Sequence, residues 1–267
     1  MEIAMRKSRV LRKLRNNEIA LSTKINLTDP VSVELAALAG FDCVWLDMEH
    51  TPSDWSAICD MIRTAKIYDM DAMVRVSKGS YSDLIKPLEA DATGIIYPHL
   101  MSLEEAKQLV YFTRFHPIGR RPLDSGNADG KYCQIDMKDY VRQANEERFV
   151  MVQIEDPEVL PDIEKIAQLD GIDIIFFGPG DFSQGIGATG DFNHPLLVET
   201  RKKVAQVCKK YGNYCATPCG IQQLKEYIEM GYNFLNLGAD VLGLGSYWKN
   251  LLDEAKKILS EYKKTGG

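Results

Sequence analysis

The 267-residue sequence has no basic surplus. Its formal net charge is −6, so no cationic face of the size needed to neutralise nucleic-acid or anionic-lipid phosphates is implied, and neither partner is expected. Small anions remain open as ligands through local arginines. No apolar run approaches the roughly 18 residues of a membrane span. The basic opening MEIAMRKSRVLRKLRNNEI also contains no apolar stretch of signal-peptide length. A soluble, cytoplasmic protein is expected. Cysteine pairing is missing too: Cys43, Cys59, Cys133, Cys208, Cys215 and Cys219 form no C-x-x-C motif. The nearest pair, Cys215-x3-Cys219, has no two further zinc ligands beside it. These thiols read as structural or incidental in a reducing compartment. Histidine is scarce, and His99, His116 and His194 are not spaced as ligands. Without internal repeats or low-complexity linkers, residues 1–267 are expected to form one domain.

What is present is a rhythm. Short β-branched or aromatic runs at residues 18–23, 42–47, 72–76, 94–97, 149–154, 172–177, 213–216 and 233–237 read as strands. Amphipathic stretches at 31–39, 53–68, 103–114, 158–168, 195–210 and 221–230 alternate with them as helices. Gly40 and Gly231 end two of these helices and lead directly into strands, as glycine C-caps do. Eight such βα units predict an α/β protein with a closed (β/α)8 TIM barrel, a doubly wound sheet being the alternative. One segment breaks the pattern. Residues 115–148 carry a loop rich in Pro, Gly, Asn and Asp that leads into a helix near 136–145. Loops this long usually serve as lids, binding loops or subunit contacts, and Arg120-Arg121 could meet an anionic substrate or a neighbouring subunit.

The chemistry gathers at the ends of the apolar runs. Asp47, Glu49 and His50 leave the second strand in FDCVWLDMEH, Arg75 lies near the exit of the third, Glu155 ends the fifth and Asp181 follows the sixth after Gly178-Pro179-Gly180. In a barrel these exits open on one face. Two carboxylates on neighbouring strands, Glu155 and Asp181, with few soft donors nearby, suit a hard divalent cation, Mg2+ or Mn2+. Gly178 and Gly180 allow backbone N–H groups to approach a ligand closely. His50, the only histidine at a predicted strand exit, is the candidate general base. Arg75, a charge in a buried strand, requires an anionic partner, either a substrate carboxylate or Asp47. A metal, a base and a cation together can stabilise an enolate beside a carboxylate.

The strings GFDCVWLDMEH, VRVS, LEADATGIIYPH, VQIED and FFGPGDFSQGIG, in that order, resemble the metal-dependent class II pyruvate aldolases of the HpcH/HpaI aldolase/citrate lyase family. The likeness runs from about Pro30 to Leu251. It implies a TIM barrel of the phosphoenolpyruvate/pyruvate-binding type, assembled as a homo-oligomer, a hexamer or trimer. It also implies a lyase that cleaves a 2-oxo-4-hydroxy acid to pyruvate and an aldehyde through a metal-bound pyruvate enolate. By that resemblance Glu155 and Asp181 ligate the metal, with Co2+ possible beside Mg2+ and Mn2+. Gln153 and the backbone of Gly180 and Asp181 hold pyruvate, His50 is the base and Arg75 stabilises the enolate. Glu89 stands where the family places the acidic residue that raises the basicity of the histidine. Its position at a helix end, however, puts it on the far face of the barrel unless it acts across a subunit contact. Asp91 replaces a common glycine, and Pro122 follows Arg121 where many members have Arg-Gly, in the loop expected to read the second half of the substrate. Alternatives are a related carbon–carbon lyase or oxaloacetate decarboxylase using the same enolate, a phosphate-handling barrel using the glycines of GADVLGLGS, and a non-catalytic metal-binding barrel.

Overall fold

The computed structural model describes residues 3–264. After a short helix α1 (Arg9–Arg15) come β1 (Ala20–Ile25), α2 (Pro30–Leu38), β2 (Cys43–Asp47), α3 (Trp55–Ile67), β3 (Asp71–Arg75), α4 (Tyr81–Glu89), β4 (Gly94–Tyr97) and α5 (Leu103–Thr113). Then follow α6 (Met137–Glu147), β5 (Phe149–Ile154), α7 (Ile163–Ala167), β6 (Ile174–Phe177), α8 (Pro179–Gly185), α9 (Pro195–Tyr211), β7 (Tyr214–Cys219), α10 (Leu224–Met230), β8 (Phe234–Ala239) and α11 (Asp240–Lys264). The eight strands pair in chain order, every neighbour parallel, and β8 closes on β1. The expected closed barrel is therefore the observed one, and the doubly wound sheet is excluded. Residues 158–168 depart from the single helix expected there: Pro157 and Pro161 force a 3-10 turn over Pro157–Asp162 before α7 begins.

Strand periodicity places the site. Side chains alternate between the barrel interior and the helix layer. In β2, Cys43 and Trp45 face inward with Phe149, Met151, Ile174, Phe176 and Phe234, whereas Val44 and Leu46 pack outward against α2 and α3 with Ile58 and Ile62. The inward series changes character along the barrel axis: apolar at the strand starts, it becomes Lys24, Asp47, Arg75, Gln153 and Asn236 near the strand exits. The polar end is the chemical one.

The opposite end is sealed by the N-terminal segment. Val10, Leu11 and Leu14 of α1 are buried in the interior cluster, and the basic residues around them meet aspartates at strand starts. Arg6 lies 2.9 Å from Asp71, and Arg9 and Lys13 lie 3.0 and 2.8 Å from Asp42. The positive opening of the sequence thus serves as the plug of the barrel floor.

The loop and helix between β4 and β5 pack at this same floor, which corrects the expectation of a lid or substrate-reading loop within the protomer. A connection that leaves the C-terminal end of α5 starts at the strand-start face, because barrel helices run antiparallel to their strands. Phe115, Ile135, Tyr140 and Ala144 bury against Met5. Lys131 reaches Asp91 at 2.9 Å, beside Lys66 at 2.6 Å and Arg148 at 2.5 Å. Arg121 is buried, pairs with Asp129 at 2.8 Å and lies over the Phe115 ring. It holds the loop together and meets no cavity of the site.

The last helix differs from the rest. α11 runs for 25 residues with none buried, and Leu242, Trp248, Leu251, Leu252 and Leu259 are all exposed. Gly243 and Gly245 lie inside this helix, where an added Cβ would meet nothing within 4 Å. They form no phosphate-cradling loop.

Candidate active site

A cavity of about 400 Å3 opens at the strand exits, lined among others by Lys24, Trp45, Arg75, Gln153, Glu155 and Asp181. Trp45 and Phe176 meet edge-on at 5.4 Å to form its apolar floor. Above them, β2 and β3 run in a register that sets Asp47 opposite Arg75. Arg75 donates from Nε and Nη2 to the two carboxylate oxygens at 2.9 and 2.5 Å. Lys24 approaches the same carboxylate at 2.8 Å. The open question of the partner of Arg75 is thereby answered within the chain: it is Asp47, joined by Glu49 at 3.1 Å. Burial alone would raise the carboxyl of Asp47, but the hydrogen bonds and charge of Arg75, then of Lys24, outweigh it and hold the group well below the usual carboxylate range. Asp47 also accepts from the backbone N–H groups of Glu49 and His50, at 3.0 and 3.4 Å. It therefore shapes the turn that presents the histidine.

Across the barrel, Glu155 continues the inward row of β5 one step past the strand and is 2% exposed. Burial, aided by the nearby charge of Asp181 and opposed by the backbone N–H and ring of His99, pushes its carboxyl up to about 7. Gln153 donates to Glu155 Oε2 at 2.7 Å, which leaves Gln153 Oε1 buried without a hydrogen-bond partner among the described residues. A buried carboxylate and, two residues before it, an orphaned buried amide oxygen are costly unless a cation or donor completes them. The donor set fits a hard divalent ion. Asp181, expected after a plain turn, lies in the first turn of α8 and is exposed at the cavity. A Cβ on Gly178 would come within 2.7 Å of Glu155 Oε2, whereas one on Gly180 would meet nothing within 4 Å. The first glycine makes room for the carboxylate, and the second leaves the backbone bare toward the cavity.

His50 stands at the rim, its side chain 56% exposed, with Nε2 3.4 Å from Glu49 Oε2. Glu49 therefore bridges His50 and Arg75. Glu89 does not join them in this protomer. It ends α4 at the barrel floor, where its carbonyl accepts from Asp129 N–H at 3.2 Å, and burial, against the attraction of Arg121, raises its carboxyl. The helix direction is the reason: α4 carries its C-terminal end away from the strand exits.

Two residues escaped the sequence reading. His99 is also at a strand exit, so His50 is not alone there. Its backbone takes a left-handed φ of 47°, uncommon outside glycine, and its N–H donates to Glu155 Oε1 at 2.8 Å. The ring Nδ1 lies 3.0 Å from Asp156, and Nε2 lies 3.7 Å from Glu49. Lys24 was missed because β1 extends to Ile25, two residues beyond the strand expected from hydropathy. The available signal was the one that singled out Arg75, a lone cation on the inward row of a strand.

Functional groups at strand exits are how barrels build enzymes, and an acidic pair facing a guanidinium suits carbon–carbon bond lysis through an enolate. The class defined by fold and site is a barrel lyase. The chain belongs to the HpcH/HpaI aldolase/citrate lyase family, whose model matches residues 25–244. It is 31% identical over 217 residues to 4-hydroxy-2-oxo-heptane-1,7-dioate aldolase of Klebsiella pneumoniae, covering 81% of this chain and 82% of that one. It is 30% identical over 236 residues to 5-keto-4-deoxy-D-glucarate aldolase of Citrobacter koseri, covering 86% and 90%. Among solved structures, the HpcH/HpaI aldolase from Desulfitobacterium hafniense superposes with a TM-score of 0.88 at 25% identity, over 95% of this chain and 97% of that one.

Proposed function

We propose that the protein is a divalent-metal-dependent aldolase that cleaves a 2-oxo-4-hydroxy acid to pyruvate and an aldehyde. The observation that carries this reading is the convergence of Glu155, the orphaned Gln153 Oε1 and Asp181 on a cavity whose other wall holds Arg75. Glu155 and Asp181 would hold the cation, and their all-oxygen donor set favours Mg2+ or Mn2+, with Co2+ tolerated. When bound, the ion supplies Lewis acidity to the keto oxygen. The remaining work falls to the chain. Gln153 and the backbone N–H groups of Gly180 and Asp181 orient the pyruvate moiety. His50, at the rim, takes the 4-hydroxyl proton as the C3–C4 bond breaks. Arg75, held rigid by Asp47, stabilises the negative charge that develops on the pyruvate enolate.

The test is exchange of pyruvate methyl protons with deuterium, which needs no knowledge of the aldehyde. Exchange is expected with Mg2+ or Mn2+ and is lost on chelation or in Glu155→Ala; undiminished exchange in the chelated enzyme refutes the proposal. His50→Ala is expected to slow aldol cleavage far more than it weakens pyruvate binding.

The proposal includes a homo-oligomer. The exposed apolar face of α11, and the apolar cleft of about 430 Å3 that its first turns form with Ile25, Leu35 and Phe41, support coverage by a second copy of this chain. A hexamer or trimer is expected by light scattering, and Trp248→Glu with Leu252→Glu should dissociate it. The free thiols support a reducing, cytoplasmic setting.

A further inference from the structure

His99 grips two consecutive residues at once. Its N–H donates to Glu155 Oε1 at 2.8 Å, and its ring Nδ1 lies 3.0 Å from Asp156 Oδ2, so one residue past the exit of β4 ties down the two that follow β5. Because an ionised carboxylate can only accept, Nδ1 carries the hydrogen of that bond. The carbonyl of His99 is held as well, accepting from Lys78 Nζ at 2.7 Å. Both backbone polar groups and the ring are therefore committed.

The backbone is strained to make this possible. A φ of 47° crowds the Cβ of any residue but glycine, and such a conformation persists only where its surroundings over-determine it. Here the bonds to Asp156 and Lys78 do so. The consequence falls on Glu155. Its second oxygen, Oε2, accepts from Gln153 Nε2 at 2.7 Å, so each carboxylate oxygen has one donor and the group is fixed in orientation. A carboxylate offers about four acceptor sites, and the two left over remain for a cation.

We propose that His99 is a positioning residue of the cation site: anchored through its ring to Asp156, it holds Glu155 in the orientation that takes the divalent ion. This rests on the metal reading above and deepens it. His99 acts through Glu155, and the ring bond to Asp156 is what keeps its N–H in place.

The experiment measures Mn2+ affinity by calorimetry, which needs no turnover, in wild type, His99→Gly, Asp156→Ala, Asp156→Asn and the double variant His99→Gly/Asp156→Ala. Glycine keeps the N–H and tolerates the left-handed φ, so His99→Gly removes the anchor alone. It should weaken Mn2+ binding by about tenfold or more, the order expected when the partner that orients a metal ligand is lost. Asp156→Ala should do the same, and the double variant should be no worse than about twofold beyond either single one, because both remove one bond. Asp156→Asn loses the charge but keeps an oxygen that accepts from Nδ1, so it should stay within about threefold of wild type. The melting temperature of chelated His99→Gly should stay within about 3 °C of chelated wild type, since relief of the strained φ offsets the lost bond. Affinity in His99→Gly within twofold of wild type overturns the inference, and so does a double variant that loses the product of the two single effects. Should His99→Gly fail to fold, the Asp156 variants decide: equal losses in Asp156→Asn and Asp156→Ala mean that charge, not the anchor, matters, and the inference fails. A wild type that binds no Mn2+ sinks the metal reading itself, whereas wild-type binding that survives His99→Gly sinks only the role of His99.

Discussion

Replacing Asp47 by asparagine removes the one negative charge that lies between Arg75 and Lys24. The site is 1% exposed, and the carboxylate receives hydrogen bonds of 2.9 and 2.5 Å from Arg75 and an ion pair of 2.8 Å from Lys24. Breaking a buried ion pair by deleting one partner costs about 3–5 kcal/mol. The asparagine carbonyl still accepts one hydrogen bond, so a loss of about 3 kcal/mol, at the lower end of that range, is expected. Urea unfolding followed by far-UV circular dichroism reads it directly. The pH dependence has a definite sign. Because the folded-state pKa of Asp47 is depressed, its contribution is complete above its ordinary value of 3.8 and is lost only as pH falls further, through the folded value. The gap between wild type and Asp47→Asn should therefore stay flat from pH 8 to pH 5. In the Asp47→Asn background, Arg75→Met should cost less than it does in wild type, since of the two carboxylates it would strand, Asp47 and Glu49, the more deeply buried is already gone. A gap under about 1 kcal/mol at pH 7 would show that the pair contributes no more than a solvated surface bridge and would refute the account of a rigid Arg75.

Glu155 predicts the opposite pH trend. Its carboxyl is raised from 4.5 to about 7 in the metal-free fold. Its contribution to stability is therefore present below pH 4.5 and lost as pH rises to 7. Chelated protein should accordingly lose thermal stability over that window by more than Glu155→Gln does, and saturating Mn2+ should remove the difference. For the same reason Mn2+ affinity, measured by calorimetry, should weaken as pH falls below 7; an affinity unchanged between pH 8 and pH 5.5 would remove Glu155 from the ligand set. The two glycines separate packing from binding. Gly178→Ala, whose Cβ would come 2.7 Å from Glu155 Oε2, should weaken Mn2+ binding by at least about tenfold. Gly180→Ala has open space around its Cβ, so it should leave the melting temperature within about 1 °C while raising the KM for pyruvate.

The sequence by itself determined the βα count, the strand exits at Asp47, Arg75, Glu155 and Asp181, and the family. These rest on local signals: runs of β-branched residues, glycine caps, and charged residues at the ends of apolar segments. It also placed Glu89 at the barrel floor, because a helix that returns antiparallel to its strand must end there. Tertiary structure alone decided who meets whom. The pairing of Arg75 with Asp47 depends on the register between β2 and β3, and register is set by the whole sheet. Arg121, which reads as a candidate anion-binder in a loop, became the buried partner of Asp129 at the floor, because its loop starts from the wrong end of α5 to reach the site. His99 entered through a left-handed turn that no periodicity announces. Lys24 entered because pairing with β2, and across a register shift with β8, carries β1 to Ile25, two residues beyond its hydrophobic run. Pairing with its two neighbouring strands, not side-chain hydropathy, defines where such a strand ends, and only the closed barrel shows that a lysine on β1 stands opposite Glu155 at the exit of β5.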